Sequence, residues 1–435
     1  KNSFDSIPDK VVTIVSAFKP QLKNVAKIGF LNATALVDTN SVLLSYQVPS
    51  QNLSFQYQPI ALVPRAFKID SIKTIKQSAN VKIGLGNYYS QFIQLEGALV
   101  DQKLQQQHHI NILNESIAGP HPIQKWNTIG LNYNGGFSMN KNKVLNTQFY
   151  FNQSNRYRYG LVPDTTILPL KNFEQKLTVI GANFALTNKQ VISDQLNFAP
   201  ILKFNHSNLV SQANNLVLDL SSPIMYYLKN NLKIHADLNF SYNQYNPVNS
   251  ASINNTIFQF DPSLELNKNQ YRLNIGVRPT IANGDFALYP KIELTKKLKD
   301  TNYVFDAGWN TSVINNQLIQ LIGQNHWISA PSNMPISSKE NKYFNVQVTV
   351  SKRLNYGFNM ALNDYRELPF FNQTRLLNNL IQEGLKFDVL FEKRAIAIEL
   401  VGNLRYQFSD KLLWKNNFKY IQFNLIRENI QAWGI

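Results

Sequence analysis

Residues 231–242 alternate polar and apolar side chains without a break. Leu232, Ile234, Ala236, Leu238, Phe240 and Tyr242 fall on one face of an extended strand; Asn231, Lys233, His235, Asp237, Asn239 and Ser241 fall on the other. The pattern recurs from about residue 80 to near the C-terminus. Tyr271, Leu273, Ile275 and Val277 oppose Arg272, Asn274, Gly276 and Arg278. Ile396, Ile398, Leu400, Leu404 and Tyr406 oppose Ala397, Glu399, Asn403 and Arg405. A long chain made almost wholly of such segments needs an apolar medium on one side and a wet one on the other. A transmembrane β-barrel supplies both, with lipid outside and water or polar side chains within.

Composition fits that reading. The hydrophobic fraction is 44%, yet no stretch approaches the roughly 18 to 20 consecutive apolar residues of a spanning helix. Barrel strands need only every second residue apolar. The 27 Phe, 20 Tyr and 5 Trp suit strands and interfacial girdles. With no cysteine, disulfides and thiolate chemistry are excluded. The chain starts at Lys1, which is read as a processed start, so a missing signal peptide does not argue against export.

The formal net charge is +16. Lys and Arg at strand ends near lipid head groups account for it most simply. A basic lumen favouring anions, or a basic face docking an acidic partner, are the functional readings. The basic residues are dispersed rather than gathered on one element, which argues against nucleic acid.

The chain divides at about residue 80. Residues 1–79 carry Pro8, Pro20, Pro49, Pro59 and Pro64 and read as an extended periplasmic arm. Residues 80–435 read as an all-β, antiparallel outer-membrane barrel. At roughly 22 residues per strand and connection they provide about 16 strands, within a range of about 14 to 18. Asn283-Gly284-Asp285 is the clearest hairpin signal, and Asn140-Lys141-Asn142 and Ser409-Asp410-Lys411 resemble it. Longer connectors are expected at 118–125, 161–175, 243–254 and about 323–341. That rhythm predicts short periplasmic turns on one rim and long extracellular loops on the other. Thr374–Gln382 breaks the strand pattern, and the spacing of Leu376, Leu377, Leu380 and Ile381 predicts a short helix there.

This strand grammar, with its arm, resembles the outer-membrane barrels of Bacteroidota related to TonB-dependent receptors. The carrying segments are Tyr46-Gln47-Val48-Pro49-Ser50-Gln51-Asn52-Leu53-Ser54-Phe55-Gln56-Tyr57-Gln58-Pro59 in the arm and Gly402-Asn403-Leu404-Arg405-Tyr406-Gln407-Phe408-Ser409-Asp410-Lys411-Leu412 near the end. The resemblance implies an outer-membrane location and a transport-type role. Two departures stand beside it. The arm is too short for the folded plug of such receptors. The sequence also stops at Ala432-Trp433-Gly434-Ile435 rather than on an aromatic-ended strand, so either the closing strands lie outside it or the ending is atypical. Asp9–Ala17 faintly resembles the stretch that TonB grips.

Chemistry is sparse. The adjacent His108 and His109 point to opposite strand faces and cannot share a metal. His206-Ser207, and His235 near Asp237, are the only local hints of a hydrolase. Phosphate loops, zinc-protease motifs and dinucleotide fingerprints are absent. No enzyme activity, cofactor or metal is therefore expected. The first functional reading is a channel or receptor-like barrel of the bacterial outer membrane. Its inward charges are Lys233, His235, Asp237, Arg272, Arg278 and Arg405, the cations giving an anion preference. The alternative is an accessory subunit of a multiprotein outer-membrane machine, docked through the arm. Expected partners are outer-membrane lipid and lipopolysaccharide, and periplasmic or lipoprotein subunits.

Overall fold

The computed structural model describes residues 77–101, 103–158, 173–189, 196–229, 231–298, 302–373 and 387–425. The expected arm, up to residue 76, and the expected helix Thr374–Gln382 lie outside the described residues.

The described chain is almost entirely antiparallel strand. One sheet contains nineteen strand segments, which pair as antiparallel courses following chain order. Two segments continue their predecessors across a proline. Asn197–Phe198 runs on into Ile201–Leu209 across Pro200, and Ala213–Ser222 runs on into Ile224–Lys229 across Pro223. Proline has no N–H to give the ladder, so the strand is interrupted there. Alignment survives because the proline carbonyls still accept: Leu186 N donates to Pro200 O at 2.9 Å and Ala199 N to Pro223 O at 3.2 Å. Counting each interrupted course once leaves seventeen, inside the expected range. The outermost courses are Gln77–Gly86 and Leu413–Leu425; among the described residues no ladder joins them.

The two faces of the sheet invert the arrangement of a soluble protein. Along Ile253–Lys268, Phe258 is 44% exposed and Leu264 45%, while Asn255 and Asp261 are each 3% exposed. Direct cross-strand partners share a face, so the outer row can be followed by register. It runs Leu202, Leu220, Phe240, Phe258, Ile281, Phe286 across consecutive courses. Apolar side chains that face outward in an unbroken belt, with buried amides and carboxylates behind them, require lipid on the outside. Close packing on the inner face uses glycine: Gly181 leaves room for the ring of Tyr150, whose hydroxyl accepts from Asn205 Nδ2 at 2.8 Å.

The connections fall on two rims. One rim carries 102–105, 139–142, 269–270, 350–353 and 408–412, all short. The other carries, among the described residues, 118–125, 316–335, and residues 367–373 and 387–394. There, Leu368–Gln373 and Phe387–Glu392 form a separate two-stranded ribbon.

Three expectations need correction. The expected connector 243–254 is mostly strand: Leu232–Pro247 and Ile253–Lys268 leave only 248–252 between them. Asn243 and Tyr245 look loop-like in sequence but point inward as bonding groups. The connector expected at about 323–341 is 316–335, with strand from Ile336 to Thr349, and it contains an unforeseen helix, Leu318–Gln324. The Asn283-Gly284 turn is as tight as expected, with φ of 51° and 94°, but it sits on the rim of the long loops. That rim is therefore not uniformly long.

Candidate functional site

The site is made where one hairpin leaves the wall. Strand Tyr303–Asn315 pairs with Asp285–Lys297 only from Val304 to Asn310. Residues 311–315 keep their partner on the other side, strand Ile336–Thr349, and turn inward with it. Asn315 Nδ2 then reaches Ser241 Oγ at 2.7 Å, on a strand four courses away. Arg278 marks the departure point. Its guanidinium holds Asp261 at 2.7 Å and also donates to the carbonyl of Thr311. The ladder between Ile253–Lys268 and Tyr271–Ala282 lapses around Pro262 and Pro279, and the Asp261–Arg278 pair spans that lapse.

Segment 316–335 lies on the inner face of the wall. Its irregular backbone needs hydrogen-bond partners once away from water, and wall amides supply them. Asn243 Nδ2 donates to Asn316 O at 2.5 Å, Asn255 Nδ2 to Met334 O at 2.6 Å, and Gln175 Nε2 to Ile328 O at 3.3 Å. Tyr245 donates its hydroxyl to Pro331 O at 2.7 Å. In the other direction, Leu318 N donates to Asn215 Oδ1 at 2.9 Å and Ala330 N to Gln212 Oε1 at 3.1 Å. Asn215 also donates to Asn243, so the two amides hold each other in place. Asparagine suits this task because one short side chain carries both donor and acceptor.

Apolar packing completes the attachment. Leu318, Leu321, Ile322, Ile328 and Met334 bury against Leu209, Ala213 and Tyr245 of the wall and Val389 of the ribbon. Each of these larger aliphatic side chains contributes about 1.5–3 kcal/mol on burial, so packing outweighs any single amide bond at about 1 kcal/mol. The far end is clipped to the ribbon, with Ser329 N donating to Phe387 O at 2.9 Å and Phe387 N to Trp327 O at 3.1 Å. The helix separates two cavities. One, of about 300 Å³, is lined by Lys203, Asp219, Ser241, Gln259, Asn315 and Gln320. The other, of about 270 Å³, is lined by Thr128, Asn152, Arg156, Gln175, Ile322 and His326.

The six charges singled out from sequence occupy the polar face, and most are engaged. Lys233 pairs with Glu265 at 2.9 Å; His235 Nε2 lies 3.3 Å from the same carboxylate, outside hydrogen-bond geometry. Asp237 lies 3.7 Å from Lys291, and Arg272 donates to Thr295 Oγ1 at 3.2 Å. Arg278 is bonded as described. Arg405 is exposed, between Asn355 and Lys415 in register. These residues spread over several courses and do not converge on one point. The hydrolase hints fail on geometry. His206 pairs across to Ile180 on the outward face, whereas its neighbour Ser207 is fully buried on the inward one. His108 faces outward with Tyr133, 2.8 Å from its hydroxyl. Among the described residues no cluster of His, Asp and Glu has a metal-holding arrangement. The residues that sequence reading missed are Asn215, Asn243, Tyr245 and Asn255, which carry the inward segment.

No family model and no curated protein matches this chain. Among solved structures the fold is similar to the siderophore receptor PirA of Pseudomonas aeruginosa, with a TM-score of 0.56 and 11% identity over 80% of this chain and 66% of that one. It is similar to the FrpB iron transporter of Neisseria meningitidis, F5-1 variant, with a TM-score of 0.60, 7% identity and coverage of 80% and 63%. It also matches the copper transporter OprC, with a TM-score of 0.55, 11% identity and coverage of 80% and 61%. The chain thus spans less than two thirds of these neighbours' own length. At such identities the likeness defines a fold, and that fold is the outer-membrane-type antiparallel β-barrel.

Proposed function

We propose that the chain is the barrel of an outer-membrane transport protein whose lumen is narrowed by its own segment 316–335. The observation that carries this reading is the attachment of that segment to the inner wall by paired amides and a buried apolar patch. An inward-folded segment fixed at both ends leaves polar spaces on its flanks, where solutes would be held or pass. The orientation proposed is short turns to the periplasm and long loops outside. The outer belt would meet membrane lipid, with lipopolysaccharide on the long-loop side. The resemblance of the strand grammar to barrels related to TonB-dependent receptors, and the transporters among the structural neighbours, support a transport role over a catalytic one. The docked-subunit alternative rested on residues 1–79, nearly all outside the described residues.

The ion pairs revise the expected anion preference. Lys233 and Arg278 are matched by Glu265 and Asp261, and Lys291 by Asp237, so this sector of the inner face is close to neutral. The reading is therefore a weakly charge-selective path for polar solutes. Liposome swelling with sugars and with size-matched anions and cations tests it. Similar rates for the three classes are expected. Absence of swelling with folded protein in the vesicles, or strong discrimination by charge, would count against it.

A further inference from the structure

A row of cations follows one rim of the described sheet. Among the described residues, the short-turn rim exposes Lys103, Lys141, Lys189, Lys352, Arg353 and Lys411 at or beside its turns. Among the described residues the carboxylates at those turns are Asp101 and Asp410, the first already capping its own turn by accepting from Lys103 N and Leu104 N. The opposite rim carries both signs: Arg394 pairs with Asp364 at 2.7 Å, and Glu115, Glu174 and Glu367 stand beside its loops.

Three more cations place this charge at a definite depth. Lys143, Lys268 and Lys296 stand on the outward face where the apolar belt ends. Lys268, Tyr271, Lys296 and Phe305 form one outer row that continues into Val346 and Phe358. Lys296 lies 5.0 Å from the centre of the Tyr271 ring and Lys143 lies 3.6 Å from that of Phe198. A lysine with its stem along apolar surface and its ammonium beyond it marks the plane where hydrocarbon gives way to head groups. None of these rim cations is paired with a carboxylate among the described residues.

We propose that the short-turn rim is a basic collar that binds the phosphate groups of anionic phospholipids in the leaflet around it. The distribution selects this partner over an acidic protein. The cations recur from the 102–105 turn to the 408–412 turn, along nearly the whole sheet. A globular partner would meet one sector of the rim, whereas a leaflet meets all of it. The proposal needs the membrane-spanning fold and does not depend on transport.

Native mass spectrometry of the purified full chain, titrated with phosphatidylglycerol or phosphatidylcholine, tests it. The unmodified protein should hold phosphatidylglycerol preferentially, less so as ionic strength rises. Replacing Lys143, Lys268 and Lys296 together by Gln should weaken that binding about a hundred-fold, taking each cation near an anionic surface at its usual worth. The corresponding triple Arg variant should retain it, which separates lost charge from lost folding. Equal retention of the two lipids, an unchanged preference in the Gln variant, or a stronger preference for lipopolysaccharide would overturn the proposal. So would binding of polyglutamate in place of phosphatidylglycerol, which would point to an acidic protein.

Discussion

Asn243, set opposite Asn255 in the wall by register, donates its side-chain amide to the carbonyl of Asn316 at 2.5 Å. Asn316 begins the segment that folds into the barrel, so one buried amide ties the wall to the obstruction. Asn316 in turn donates to Pro335 O at 2.6 Å, closing the two ends of the segment on each other. Replacing Asn243 by Ala leaves that carbonyl without its donor and the Asn215 amide with only the Gln244 carbonyl, a loss of about 1–3 kcal/mol. The loss should fall on the segment and spare the wall. Hydrogen exchange is the check: faster exchange at the Leu318 and Ala330 amides is expected, with strand amides unchanged. Uniform protection in the variant would mean that the amide does not hold the segment.

Arg278 is the second attachment point, and here the magnitude should be larger. Asp261 is buried, and removal of its guanidinium partner leaves an uncompensated charge, at a cost of about 3–5 kcal/mol. Arg278→Leu should lower unfolding stability by that order in detergent. Adding Asp261→Asn should recover a good part of the loss, because the stranded charge is gone. A double variant no better than the single one would show that the bond from Arg278 to Thr311 dominates.

The outer belt makes a prediction with a direction that soluble proteins would not share. Phe258 is exposed, and in water its replacement by Arg would be nearly neutral. In a bilayer the same change places a cation against lipid, and should destabilise by about 2–4 kcal/mol near the midplane. Refolding the variant into vesicles and measuring its denaturant midpoint decides between the two environments. An unchanged midpoint would argue that this face does not meet lipid.

The wall was legible in sequence because strand faces alternate with period two, and lipid enforces that alternation strictly. The Asn231–Tyr242 segment placed each side chain on the side where it is found, including Lys233, His235 and Asp237. The obstruction was harder to see because its signal is a local failure of the same rule. Leu209, Ala213, Val217, Tyr245 and Ile257 stand on the nominally polar face, and all are buried. Those exceptions cluster where segment 316–335 packs, and the spacing of Leu318, Leu321 and Ile322 supplies the matching helical face. Asn243 falls inside the expected connector for a related reason: close to a strand end an asparagine looks like a turn, and only the tertiary partner distinguishes the two. The ion pairs of Lys233 and Arg278 were out of reach for two reasons: Glu265 is set opposite Lys233 by cross-strand register, and Asp261 meets Arg278 only because the ladder lapses between their strands.

Single-channel recording in planar bilayers tests most directly whether segment 316–335 narrows the lumen. The comparison is between the unmodified chain and a variant in which residues 318–333 are replaced by a short Gly-Ser linker. Removing the helix and its buried contacts opens the inner face without touching any wall strand, so a several-fold larger unitary conductance is expected. Equal conductance from a variant that folds and inserts as well as the parent would contradict it, and would place the obstruction elsewhere or nowhere.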